Sequence, residues 1–237
     1  MSFILRSLPR AQLLHERTYQ ALRSAILSGE LPTGTRLIET QLAQQLEVSR
    51  TPIREALRLL ERDRLVESDR DGALRVAVLS IDDAIQLYDC RIALEQLSIV
   101  TACQTATQTQ FDQIESLLHQ AEKSVIQAPN SLTKYQLLHL DYQFHRLFAV
   151  GSGNTWLVQI LDQVFDKMAL LRLRTIEHNL HVLEICDEHR QIFEAVRDRN
   201  AASASQAIQL HLTESKNRVV QEIKQLEPQS SPELQEP

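Results

Sequence analysis

The chain has 237 residues, 43% hydrophobic and 24% charged, and carries a formal net charge of −6. That length suffices for a small domain plus a larger one of about 150 residues. No apolar run approaches the roughly 18 residues of a transmembrane helix, and MSFILRSLPR lacks both the apolar length and the small-residue cleavage site of a secretory signal.

The charge is divided unevenly along the chain. Residues 1–78 hold twelve arginines, no lysine and ten acids, a net +2, and the remainder holds 13 basic and 21 acidic side chains, a net −8. An acidic remainder restrains indiscriminate adhesion to nucleic acid, while clustered arginines supply forked phosphate and base contacts. A head of only +2 predicts that a monomer binds DNA poorly and that a homodimer is needed. Cys90, Cys103 and Cys186 lie outside any CxxC pattern. They read as reduced thiols of a cytoplasmic protein with no membrane partner.

Residues 37–66, LIETQLAQQLEVSRTPIREALRLLERDRLV, read as two short helices joined by a tight turn. Leu42, Ala43, Leu46 and Val48 form its apolar joint. Ser49 is placed as the N-cap of the second helix, and Pro52 is tolerated in its first turn. On 100° steps Ile53, Ala56, Leu57 and Leu60 share one side, while Arg50, Arg54 and Arg58 form an adjacent stripe. Such a helix suits a major groove. Charge spacing by itself leaves a solvated basic stripe equally open.

The whole segment is more specific than its charges. Glu39, Leu42, Ala43, Leu46, Val48, Ser49, Arg50, Thr51, Pro52, Arg54, Glu55, Ala56, Leu57, Leu60, Glu61, Leu65 and Val66 match the pattern E..LA..L.VSRTPVREAL..LE..GLV. The segment therefore resembles the winged helix-turn-helix of GntR-superfamily transcription regulators. It departs with Ile53 for valine and with Arg64 where glycine often stands, at the turn into the next strand. The match continues upstream through 26–37, which includes Arg36. Downstream, 66–68 and 73–76 around Asp71-Gly72 read as the two short strands of a wing. The resemblance implies a palindromic double-stranded DNA operator. Arg50 and Arg54 would reach base edges, Ser49 and Thr51 would fix register on phosphates, Arg36 would join the DNA-binding set, and Gly72 would let the wing approach the duplex.

Past the wing, apolar residues recur at three and four with no alternating β pattern. Ser80-Ile81-Asp82-Asp83 reads as a helix start. Six helices are predicted near 81–106, 109–127, 131–149, 153–178, 180–199 and 201–226, with breaks at Pro129-Asn130-Ser131, Gly151-Ser152-Gly153-Asn154 and Arg199-Asn200. The fold class is thus mainly α: a winged helix-turn-helix at 1–78, an antiparallel helical bundle at 79–226 and a Pro/Ser/Glu-rich disordered tail at 227–237.

Asp141 and His145, four apart, share a helix face. His189 and His211 each lie 11 residues from Asn200, so across a hairpin both stand about 16 Å from the turn and level with one another. Three imidazoles and a carboxylate brought together this way suit zinc, with nickel or manganese as alternatives. Any one histidine is more often an ordinary core or surface residue. His15, His119, His139, His178 and His181 are read so, and Tyr88, Phe144, Phe148 and Trp156 are read as core. The second half, from about 81 to 222, resembles the FCD effector domain of the FadR-like branch of GntR regulators. Many of its members bind metal through an Asp-x-x-x-His helix and two later histidines, a pattern that Asp141, His145, His189 and His211 match.

Arg91 sits where that domain usually reads ExRxxLE. It suits a ligand carboxylate, a pair with Glu95, or a salt bridge between domains. Arg172 and Arg174 cannot share a face, so at most one of them points inward; Arg174 is taken as the second effector-binding candidate. The resulting reading is a transcription regulator whose operator affinity responds to a small carboxylate metabolite, with repression as the more usual mode in relatives. Two other readings are a metal-dependent hydrolase, for which no general base stands in a motif, and a regulator whose second half only dimerises.

Overall fold

The computed structural model describes residues 11–126, 131–179 and 185–226. They fall into two compact units, divided between Val78 and Leu79.

The first unit comprises α1 (Ala11–Leu27), α2 (Glu39–Gln45), α3 (Arg50–Arg62), β1 (Val66–Ser68) and β2 (Leu74–Val76). Helix α3 buries Ile53, Ala56, Leu57 and Leu60, and its other face stays in solvent. Helix α1 packs on α3 through this buried side. Its Thr18, Leu22 and Ile26 are buried, and Tyr19 donates a hydrogen bond to Asp63 at 2.7 Å. The turns on either side of α3 each carry a non-glycine residue in the left-handed region, Glu47 at φ 53° and Arg64 at φ 56°. Strands β1 and β2 pair antiparallel with Val66 opposite Val76. The segment before α2 lies along β2, with Gly34 donating to Val76 and Leu37 to Leu74, each at 2.8 Å.

The second unit is a bundle of α4 (Ile81–Thr105), α5 (Gln108–Ile126), α6 (Ser131–Gly151), α7 (Thr155–His178), α8 (Cys186–Arg197) and α9 (Ala201–Leu226). Ser80 and Asp83 close a capping box at the start of α4, which satisfies two otherwise unpaired N–H groups. The long α4 and α9 run side by side, tied by Tyr88 to Ser215 and Gln96 to Gln209. Arg199, at φ 58° in the α8–α9 turn, donates to the carbonyls of Cys103 and Ala106 at 2.9 and 2.8 Å. It thereby closes the C-terminal end of α4. The central core joins Ile99, Phe111, Phe144, Phe148, Phe193 and Leu212.

Two expectations need correction. The helix placed at 180–199 begins at Cys186; residues 180–184, with His181, lie outside the described residues, as does the tail from 227. Trp156 is not core but 74% exposed. The inward positions of α7 are Leu157, Leu161, Phe165 and Met168, and on a 100° step residue 156 falls outside that stripe. Among the described residues no helix is long and apolar enough to cross a membrane.

Candidate functional site

Two faces of the chain carry chemistry, one in each unit. In the first, the buried joint of Leu42, Ala43, Ile53 and Leu57 fixes α2 against α3, so α3 presents its polar side outward. Ser49, Arg50, Thr51 and Arg54 are all exposed there, and Arg36 and Gly72 are exposed on the adjoining segment and wing. Ser49 stands at the N-cap with extended backbone but makes no side-chain capping bond. The reason lies in its own sequence. The N3 residue is Pro52, which has no N–H to give a capping oxygen.

The arginine stripe divides. Glu39, in the first turn of α2, accepts from Arg50 at 2.9 Å and from Arg54 at 3.2 and 3.1 Å. Arg58 turns to Glu55. Hydrogen bonds from Arg54 and then Arg50 hold the Glu39 carboxyl below its usual range. The side chains of Arg50 and Arg54 remain 58% and 52% exposed, so their unused N–H donors face solvent. In the wing, Asp69 accepts from the backbone N–H of Asp71 and Ala73 and from Arg75. Gly72 takes φ 75° at the tip, with nothing within 4 Å of where a Cβ would stand.

In the second unit Asp141 and His145 project from α6, His189 from the first turn of α8 and His211 from the middle of α9. All four are buried, and one ligand atom from each lies within 4.8 Å of the others. His189 Nε2 is 3.4 Å and His145 Nε2 3.7 Å from Asp141 Oδ1, and His211 Nε2 is 3.3 Å from His145 Nε2. Level placement across the α8–α9 hairpin brings the His189 and His211 rings to 4.7 Å. His189 also stacks on Phe144 at 4.1 Å. A narrow cleft between α5, α6 and α8, lined by Leu117, Leu137, Phe144 and Cys186, reaches Asp141 and His189.

Carboxylates behind two of the imidazoles set their orientation. Glu95 Oε2 lies 2.5 Å from His145 Nδ1, and Glu188 Oε2 lies 2.6 Å from His211 Nδ1. A carboxylate at Nδ1 draws the ring proton to that side and leaves the Nε2 lone pair pointing at the centre. Each carboxylate is held by an arginine: Glu95 by Arg91 at 2.7 Å, and Glu188 by both nitrogens of Arg218 at 2.9 and 3.1 Å.

At three of the four residues the electrostatics favour metal ligation, and at His145, which Glu95 holds toward the charged form, the ion must displace a proton. Burial, reinforced by the neighbouring histidines, pushes His189 and His211 well below the usual imidazole range, so both are neutral near pH 7. Burial works against charge on Asp141, yet Arg172 and the histidines outweigh it and hold the carboxyl well below its usual range. Burial opposes charge on Glu95 too, but Arg91 and His145 bring that carboxyl to about 2. On His145 the desolvation penalty is overcome by Glu95, and its pKa is raised. Asp141 Oδ1 and His189 Nε2 have no hydrogen-bond partner among the described residues. A carboxylate oxygen and imidazole lone pairs facing one another fit a divalent cation by their donor chemistry.

The arginines separate clearly. Arg91 is completely buried and bonded to Glu95, and its two terminal nitrogens lack partners among the described residues. It is Arg172, not Arg174, that enters the cluster: Arg172 is fully buried and donates to Asp141 at 2.9 Å, while Arg174 is half-exposed. The sequence offered Glu95 as a pair for Arg91, and the two are paired, but it missed the contact of Glu95 with His145, and it missed Glu39 and Glu188 as partners altogether. Only the four-residue spacing of Glu95 from Arg91, and the position of Glu188 beside His189, gave a signal. The thiols of Cys103 and Cys186 are both raised by burial, which disfavours the reactive thiolate.

A winged helix-turn-helix with outward arginines, carried with an all-helical unit, defines a DNA-binding regulator. The description "Bacterial regulatory proteins, gntR family" matches residues 14–76, and the FCD domain matches residues 86–214. The HTH-type transcriptional regulator YdhC of Bacillus subtilis (strain 168) is 33% identical over 193 residues, 81% of this chain and 85% of YdhC. The gluconate operon transcriptional repressor of the same species is 24% identical, covering 86% of this chain and 84% of the repressor. In fold, E. coli McbR/YncC aligns with a TM-score of 0.76 at 18% identity, over 89% of this chain and 98% of that one. The chain belongs to the GntR family of transcription regulators, in the group that carries a C-terminal FCD domain. It is a DNA-binding regulator and not an enzyme.

Proposed function

We propose that this protein is a metal-containing, metabolite-responsive repressor that binds a palindromic operator as a homodimer. In this reading Arg50 and Arg54 reach base edges in the major groove, Ser49, Thr51 and Arg36 contact the backbone, and the wing at Gly72 approaches the duplex. Asp141, His145, His189 and His211 hold a divalent ion, zinc first, which when bound supplies a Lewis-acidic docking point for a small carboxylate. The carboxylates of Glu95 and Glu188 fix the rings that hold it. Effector binding then shifts the protein between states of different operator affinity, as differential binding to the two states requires. Repression fits the role of the gluconate operon transcriptional repressor to which the chain is similar. Exposed Leu97 on α4 and Trp156 and Ile160 on α7 supply the apolar surface of a dimer.

The single observation that carries the reading is the buried convergence of three imidazole nitrogens and one carboxylate oxygen in a chain that also bears the recognition helix. Elemental analysis of purified protein beside His189→Ala tests it. About one metal per chain, lost in the variant, is expected. No metal in either protein, after zinc addition and desalting, removes the proposed site.

A further inference from the structure

Arg91 on α4 and Arg172 on α7 are two completely buried guanidiniums built in parallel. Each commits one nitrogen to a carboxylate of the metal-ligand cluster or just behind it. Arg91 Nε donates to Glu95, which faces His145, and Arg172 Nη1 donates to Asp141. The rest of each fork is unengaged. Arg91 Nη1 and Nη2, Arg172 Nε and Nη2, and the Tyr142 hydroxyl have no hydrogen-bond partner among the described residues. These groups border one region of the interior. The Arg91 guanidinium lies 5.4 Å from the Phe165 ring, Phe165 stacks on Tyr142 at 5.7 Å, and Arg172 feels the positive charge of Arg91. Buried N–H groups of a cation that have left water need acceptors, and nothing in the described chain supplies them.

Charge narrows what does. The two arginines cancel Glu95 and Asp141, and Arg218 cancels Glu188. Glu222, the other buried carboxylate among the described residues, is bound by His178 and Asn179, eleven residues along α9 from His211 and so about 16 Å away by helical rise. Imidazoles that ligate an ion are deprotonated, so a divalent ion introduces two uncompensated positive charges. Water would satisfy the hydrogen bonds but not the charge.

Resting on the metal-and-effector reading above, we propose that the effector is a small dicarboxylate, with one carboxylate toward the Asp141–His cluster and the other in the combined forks of Arg91 and Arg172 beside the Tyr142 hydroxyl. A carboxylate offers about four lone-pair sites, enough to engage both forks. A monocarboxylate leaves either the cluster or the forks without an anion. An acid that also bears a phosphate brings close to three negative charges, more than the site can balance.

The experiment is calorimetric titration of full-length, zinc-loaded protein with matched acids. Malate, 2-oxoglutarate and glutarate are each compared with the monoacid that carries methyl in place of the far carboxylate, and 3-phosphoglycerate serves as the phosphate arm. At least one dicarboxylate should bind about 100-fold tighter than its monoacid partner, since a charge-assisted forked contact is lost. Tyr142→Phe should weaken that dicarboxylate by about tenfold and leave the monoacid and the zinc content unchanged. Arg91→Gln should erase the preference for two carboxylates. If zinc is retained but monoacids or 3-phosphoglycerate bind at least as well, or if no dicarboxylate binds, the dicarboxylate assignment is overturned while the metal site stands. Absence of zinc from the wild type would overturn both.

Discussion

His145 shows how much of the candidate metal centre is visible one residue at a time. Its partnership with Asp141 follows from four-residue spacing on one helix, and His189 and His211 follow from equal distances to the α8–α9 turn. The carboxylate behind it does not follow. Glu95 is fifty positions away on α4 and reaches His145 only because α4 packs against α6. Glu188 has the same hidden role toward His211. Carboxylates behind metal-binding imidazoles contribute roughly 10- to 100-fold to metal affinity. Glu188→Gln should therefore weaken zinc retention by about that factor in a chelator competition, and unchanged retention would detach Glu188 from the centre. On the DNA side, Arg54→Ala should abolish specific operator binding in a mobility-shift assay while circular dichroism stays unchanged. Arg54→Lys should not rescue it, because an ammonium lacks the fork that pairs with a guanine edge.

At the scale of elements, the two short helices, the wing and most of the bundle were legible because their periodicity and breaks agree. Helix α1 was not read, because among residues 14–27 only Thr18, Leu22 and Ile26 are buried in an otherwise mixed sequence. Its helical stripe becomes visible once α3 is present to cover it. The start of α8 was misjudged because nothing in NLHVLEI breaks a helix by composition. The departure at Arg64 now has a physical meaning: the turn out of α3 needs the left-handed region that glycine enters freely. Arg64→Gly should stabilise the protein by about 1 kcal/mol, read as a higher urea midpoint of the transition that reports the first unit. Arg199→Ala should act in the opposite direction. It removes two charge-assisted bonds from the carbonyl end of α4 and should cost about 2 kcal/mol.

For the whole molecule, a metal bound only by the folded state is a source of stability. At a thousandfold excess over its dissociation constant it contributes about 4 kcal/mol, or roughly 10 °C in the melting temperature of a domain this size. A strong chelator should lower the melting temperature of the wild type by that order and leave His145→Ala/His211→Ala unmoved; equal shifts in both would place the metal elsewhere. Assembly has its own test. Trp156→Glu sets a charge in the exposed apolar surface, and light scattering should find the wild type dimeric, as proposed, and the variant monomeric. Operator affinity should fall with it if, as proposed, a head of net +2 gains its hold by doubling.

Glu39 also bears on how such a regulator finds its site. One carboxylate shared by two arginines leaves a single net charge where two side chains project. Each cation set against a phosphate releases bound counterions, and that release drives adhesion to random DNA. If α3 reads DNA as proposed, answering half of this charge internally weakens its hold on arbitrary sequence, so that it would let go quickly and sample many positions in a given time. Guanine edges offer the same pair of acceptors that Glu39 presents, so the correct base can take the arginines over from the carboxylate, whereas a thymine methyl cannot.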